Sequence, residues 1–358
     1  MYFVIYTGTN RNLRIFTLLI HIFLILFSFY FSVLTSQPNN MTLRISFVFY
    51  FSLCFIYSVA ADEVKLEECE QACLYNGSPD YAMNCTSRAC LYIPASIDMG
   101  IFGGYYYMET LYLSGNPIKN VTAFPVYSSL KTLDLSACQI TTIEKRAFAN
   151  LEALNNLSLA YNQLTKLDQD DFEGLEGHLE QLDLKGNQIT DITDNLFYLP
   201  LSSVRRLDLS FNKIKRISAN GFTDLEKLKF LHLDHNELEV LDNKDFLGLE
   251  NLEDLYLQHN SIRRLNNSTF VDCTNLMTLE LSNNQIQFMS KNAFHGLSNL
   301  RVLRLERNSI SQIKRGVFDA LTMIQHIYLD YNPIKVIESG AFPLSIQRIS
   351  MEVCGLVH

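Results

Sequence analysis

No acidic side chain occurs in the first 61 residues of this 358-residue chain, and only Arg11, Arg14 and Arg44 carry formal charge there. Asp62 opens an acidic body: residues 62–358 hold 26 basic and 38 acidic side chains, a formal charge of about −12. That balance argues against nucleic acid as a partner, because phosphate backbones demand a basic face. Catalytic signatures are missing too. The chain has no P-loop, no G-x-S-x-G, no H-E-x-x-H and no dinucleotide fingerprint, so nothing points to an enzyme or a cofactor. Intrinsic disorder is excluded, since Leu, Ile and Phe recur throughout a chain that is 48% hydrophobic.

Two apolar runs occupy the N-terminal segment. Ile15–Leu34 is long enough to cross a bilayer. The second run has the order of a secretory signal: a short basic start at Met41-Thr42-Leu43-Arg44, an apolar stretch Ile45–Tyr57, then small residues Ser58-Val59-Ala60. The expectation is a signal peptide over 41–61 with residues 1–40 as an upstream extension. A membrane anchor through Ile15–Leu34 is the alternative. Both send the body to the extracellular side, as a secreted or cell-surface protein.

A repeat fills most of the rest. Leu228-Lys-Phe-Leu231-His-Leu233-Asp-His-Asn236 aligns with Leu252-Glu-Asp-Leu255-Tyr-Leu257-Gln-His-Asn260, and the same L-x-x-L-x-L-x-x-N frame ends at Asn284 and Asn308. The ninth position runs Asn116, Cys138, Asn162, Asn187, Asn212, Asn236, Asn260, Asn284, Asn308, Asn332 and Cys354, at steps of 22 to 25 residues. Ten residues after nine of these positions stands a phenylalanine, from Phe148 to Phe342; the first frame has Val126 there. The L-x-L alternation makes a short strand with its leucines inward. One repeat cannot bury them alone, so neighbours stack and their strands form a parallel sheet. The asparagine amide can satisfy backbone groups of adjacent coils, and cysteine can replace it as a small buried residue. The phenylalanines should stack as a convex spine, and eleven strands about 4.8 Å apart would span roughly 50 Å.

On these frames, residues 108–358 resemble the extracellular leucine-rich-repeat proteins with 24-residue repeats, such as Slit-like, chaoptin-like and Toll-ectodomain-like members. The resemblance implies an α/β repeat solenoid: a horseshoe with a parallel concave β-sheet, convex loops and short helical turns, and a cysteine-containing N-terminal cap over residues 62–107. Cys69, Cys73, Cys85 and Cys90 would form that cap. In a secreted chain they imply two disulfides, with three possible connectivities, and a zinc site is the rival reading. The family's pairing would be Cys69–Cys85 and Cys73–Cys90, although C-x3-C-x11-C-x4-C departs from the family's usual spacing. Cys54 falls in the signal peptide; Cys138, Cys273 and Cys354 read as core packing.

Sequons at Asn76, Asn84, Asn120, Asn156, Asn266 and Asn267 are glycosylation candidates in a secreted chain, with Asn40 outside the mature region and Asn84 hindered by its neighbour Cys85. Asn156 falls on the concave strand face, where a glycan would obstruct a ligand. The eleventh frame, Ile346 to Cys354, stands four residues before the last, with no cysteine-rich closing cap after it. The expectation is that the chain is truncated there or that a partner, including a second copy, covers that end.

The variable positions of the frame face concave solvent. Phe211, Phe230, His232, His235, Tyr256 and His259 should converge on one patch, with Arg304 and Tyr328 further along. Exposed aromatics on an otherwise polar sheet are hot-spot material for a protein ligand or receptor. His235 and His259 should be lateral neighbours near Asp234 and Asp254, but nothing fixes a third ligand and no metal is assigned. Protonation below about pH 6.5 would make the patch pH-sensitive. The leading function is extracellular recognition or adhesion. The resemblance also leaves open a matrix component and an innate-immune sensor.

Overall fold

The computed structural model describes residues 73–76, 82–88, 90, 108–197, 201–352 and 354. The signal peptide, the upstream extension with Ile15–Leu34, Asn40, Cys54 and Cys69 lie outside them. Among the described residues no helix is long and apolar enough to cross a membrane.

Every frame forms the same coil. Its third to fifth residues make a three-residue strand, from Thr110–Tyr112 to Arg348–Ser350, and each strand pairs in parallel with the next. The register is strict: Phe230, Leu231 and His232 lie opposite Asp254, Leu255 and Tyr256, then Thr278, Leu279 and Glu280. The central leucine therefore always meets its counterpart and is buried, while the residues on either side face out. Among the described residues the sheet has thirteen strands, not only the eleven of the repeats. The other two, Leu74–Asn76 and Ala82–Asn84, form an antiparallel hairpin whose second strand pairs in parallel with Thr110–Tyr112. The cap thus covers the first leucines by extending the sheet.

The hairpin corrects the disulfide expectation. Leu74 lies opposite Asn84, which places the preceding Cys73 across from the following Cys85, and these two are bonded with Cα atoms 4.3 Å apart. Cys90 is disulfide-bonded as well. The pairings Cys69–Cys85 and Cys73–Cys90 are excluded, because hairpin register, not family precedent, decides which thiols meet. Cys138 and Cys273 are free and fully buried; Cys354 is free and half-buried. Burial pushes the Cys138 thiol up to about 11 and the Cys273 thiol up to about 12, so both stay protonated and inert.

The frame asparagines are buried brackets. Asn236 Oδ1 accepts the Ile214 N–H at 2.9 Å, while its Nδ2 donates to Leu209 O at 2.9 Å and Leu233 O at 3.1 Å. Two of those partners belong to the preceding coil, and the motif repeats at Asn162, Asn260, Asn284, Asn308 and Asn332. Cys138 reproduces half of it. Its Sγ donates to Leu113 O, but with no amide oxygen available Ile118 N–H turns back to Asn116 O.

The phenylalanines stack as expected, with ring centroids 5.6–5.7 Å apart in the pairs Phe197–Phe222, Phe246–Phe270, Phe294–Phe318 and Phe318–Phe342. At the first frame the spine residue is Phe124, buried against Phe148 at 5.9 Å, whereas Val126 is 72% exposed. That coil is two residues shorter, so the ring sits two positions earlier. Among the described residues the convex side carries a 3₁₀ turn at Gln169–Phe172 and mostly hydrogen-bonded turns, with two-residue strands along the flank.

Candidate functional site

The concave face is ruled into parallel columns, because every third, fifth, seventh or eighth frame residue stands beside its counterparts at strand spacing. The eighth position has an unusual backbone. Gly115, Ala137, Tyr161, Gly186, Phe211, His235, His259, Asn283, Arg307 and Tyr331 all have φ between 52° and 72°. Glycine and asparagine tolerate this left-handed conformation, but a bulky residue adopts it only when its surroundings impose it. Here the bracketing asparagine fixes the next residue, and the chain must turn sharply off the strand. A methyl at Gly186 would lie 2.5 Å from the Tyr161 ring, which therefore rests flat on that glycine.

This turn aims the side chains along the sheet rim, where they stack. Phe211 lies on His235 with centroids 4.0 Å apart, and His235 lies on His259 at 4.2 Å. Lys185 Nζ covers the outer Phe211 face at 5.0 Å. In the fifth-position column His232 stacks on Tyr256 at 4.4 Å. In the third-position column the Arg206 guanidinium covers Phe230 at 4.2 Å. The structure thus brings Phe211, Phe230, His232, His235, Tyr256 and His259 onto two adjoining strands and the turns around them. Phe211 is 45% exposed and the others are partly exposed to exposed.

One carboxylate ties two columns together. Asp234 sits between His235 Nδ1 at 3.0 Å and His232 Nδ1 at 3.7 Å. Burial opposes its charge, but the two imidazole contacts outweigh it and hold Asp234 below the ordinary carboxylate range. Burial, then the neighbouring His235, lowers His259. Asp254, expected near these histidines, instead lies beside Phe230 in the third column. Among the described residues no three of His, Cys, Asp and Glu are grouped to hold a metal. Asp234 stands beside His235 as the sequence suggested, whereas Lys185 and Arg206 were missed as partners of the aromatic patch; their only signal was column register.

Arg304 and Tyr328 form a separate group two strands on. Arg304 pairs with Glu280 at 3.4 Å and Glu306 at 3.0 Å while stacking on Tyr328 at 4.4 Å. Arg307 repeats the stack on Tyr331 at 4.5 Å. Burial first, with neighbouring Glu280, raises Glu306. Elsewhere the column is acidic. Asp134, Asp183 and Asp208 each turn back to accept a backbone N–H two residues on, and burial first raises Asp183, with Asp208 adding to it.

The sequons differ in setting. Asn120 and Asn267 are exposed. Asn156 is half-buried on the concave strand, its Nδ2 donating to Thr132 Oγ1. Asn266 Nδ2 donates to Leu241 O, and exposed Asn84 accepts Thr86 N–H. The side chain of Asn76 lies outside the described residues.

With this geometry the comparisons agree. The family model for Leucine rich repeat matches residues 128–189, 177–238, 231–286 and 274–334, and the chain belongs to the leucine-rich-repeat family. It is similar to human Leucine-rich repeats and immunoglobulin-like domains protein 1, 33% identical over 35% of this chain and 11% of that protein. It is also similar to human Toll-like receptor 5, 38% identical over 34% of this chain and 15% of that protein, and to Tsukushi-A of Xenopus laevis, 36% identical over 28% of each. The match thus spans about a tenth to a quarter of these curated relatives. Among solved structures, TLR13 in complex with ssRNA13 superposes with TM-score 0.59 and 30% identity, over 64% of this chain and 32% of that one. A chain of the octameric complex of Latrophilin 3, Unc5D and FLRT2 superposes with TM-score 0.57 over 79% of this chain and 92% of that one; at 23% identity it shows the fold alone.

Proposed function

We propose that this chain is an extracellular or cell-surface recognition module that binds a protein ligand through its concave face. The single observation that carries this is the aromatic and histidine patch: Phe230, His232 and Tyr256 on two adjoining strands, beside Phe211, His235 and His259, which are stacked on turns with a left-handed backbone. Fixed, partly exposed aromatics lose little conformational entropy on binding and suit a hot spot. A broad ruled sheet offers the extended contact area that a protein interface uses. The Cys73–Cys85 disulfide supports an oxidising compartment. RNA belongs to the ligand description of one structural neighbour; here Asp134, Asp183, Asp208, Asp254 and Glu280 would repel phosphate. Exposed Asn120 and Asn267 are the sequons best placed to carry glycans without covering this face.

The test is a binding screen of the immobilised chain against purified extracellular domains. The proposal expects a partner whose Kd rises at least about 30-fold on Phe230→Ala or Tyr256→Ala, the scale of a hot-spot residue. The flank variant Phe288→Ala should leave it unchanged. A partner insensitive to both concave substitutions but lost with Phe288→Ala would overturn the assignment.

A further inference from the structure

A recess opens beyond the aromatic patch. Its volume is about 370 Å³, and it is lined chiefly by Glu306, Asp330 and Glu352 with Arg307, Tyr328 and Tyr331. Three carboxylates and one cation, Arg307, line it, with Arg307 already held over the Tyr331 ring and Arg304 reaching Glu306 from beside it. Glu306 gives Oε1 to Arg304, while its buried Oε2 has no hydrogen-bond partner among the described residues. Asp330 Oδ1 is occupied by Ser350 Oγ and Glu352 N–H, so it adds charge at a fixed place.

The rings show what they accept. In this corner a guanidinium from one coil lies over the tyrosine of the next, twice: Arg304 on Tyr328 and Arg307 on Tyr331. Tyr328 is covered on that side only by register, because the residue opposite it on its other side is Ser350. A serine is too small to cover the ring, so that face looks into the recess. Planar, weakly hydrated guanidinium suits this combination of aromatic face and carboxylate rim better than an ammonium point charge.

We infer that this recess takes an arginine side chain presented by the protein ligand, as a second anchor beside the aromatic patch. The inference rests on the concave face being the binding face, but it uses none of the patch residues. The partner segment that docks here is therefore basic, matching the three carboxylates that line the recess.

The test uses the full chain with tetra-arginine, tetra-lysine and tetra-glutamate peptides, followed by calorimetry at low and moderate salt. Tetra-arginine should bind more tightly than tetra-lysine, and tetra-glutamate should not bind. The double variant Glu306→Gln/Glu352→Gln should weaken tetra-arginine at least tenfold, Tyr328→Ala should weaken it several-fold, and Tyr328→Phe should leave it at the parent affinity. Phe230→Ala should leave peptide binding unchanged, which separates this site from the patch. Equal tetra-arginine affinity across these variants would mean diffuse attraction to an acidic body and overturn the inference. So would the absence of binding, or equal loss with Asp134→Asn/Asp208→Asn. An unchanged melting temperature in each variant confirms that folding is intact.

Discussion

Two consecutive residues of each coil meet opposite fates. The ninth-position asparagine is buried, nearly invariant and fully hydrogen-bonded, as at Asn236 and Asn260. The eighth-position residue just before it is varied and exposed or half-exposed, and it is held at positive φ whatever its identity, from Ala137 to Arg307. The asparagine sets the turn, and the turn sets the backbone of its neighbour. The neighbour's side chain is thereby free to change without loss of the coil. Stability and recognition are separated by a single peptide bond.

That separation can be broken or sharpened in four ways. Phe270→Ala, beneath both rows in the convex spine, should cost about 4 kcal/mol, because a fully buried ring leaves a cavity between its neighbours. Urea unfolding measures it. Asn236→Ala should cost about 3 kcal/mol, since it strands the Ile214 N–H and two carbonyls in the buried turn. The eighth row should respond in the opposite direction. Ala137→Gly should stabilise by about 1 kcal/mol, because glycine relieves a left-handed backbone where no ring stack is lost. A loss of stability there would refute imposed strain.

The smallest effect concerns Asp234, which links the exposed rows. Its folded pKa lies below the unfolded value, so its contribution is fully present above about pH 4 and lost as pH falls through the folded value. Asp234→Asn should flatten the acid limb of the stability profile by a few tenths of a kcal/mol and leave neutral-pH spectra of the coil unchanged. A profile identical to that of the parent chain would show that the two imidazole contacts contribute nothing.

How much of this was legible before the structure follows from what repeats and what does not. Leucines, asparagines and phenylalanines recur at a constant step because each coil buries the same groups, so sheet, bracket and spine could be read directly. Lateral neighbours such as His235 and His259 followed from the register. The left-handed eighth position could not be read, because ten residues of mostly different chemistry occupy it and no residue type advertises the turn. Phe124 was missed because the first coil is shorter by two residues. The cysteine pairing was missed because it depends on a hairpin lying outside the repeat, where periodicity carries no information.

The asparagine bracket also has a direction. Asn236 reaches back to Ile214 and Leu209, never forward, so each coil is completed by groups that lie in its successor. A chain leaving the ribosome would then always carry one unfinished turn, closed only about 24 residues of synthesis later. In the finished solenoid each turn is thus held by an amide of the coil that follows it.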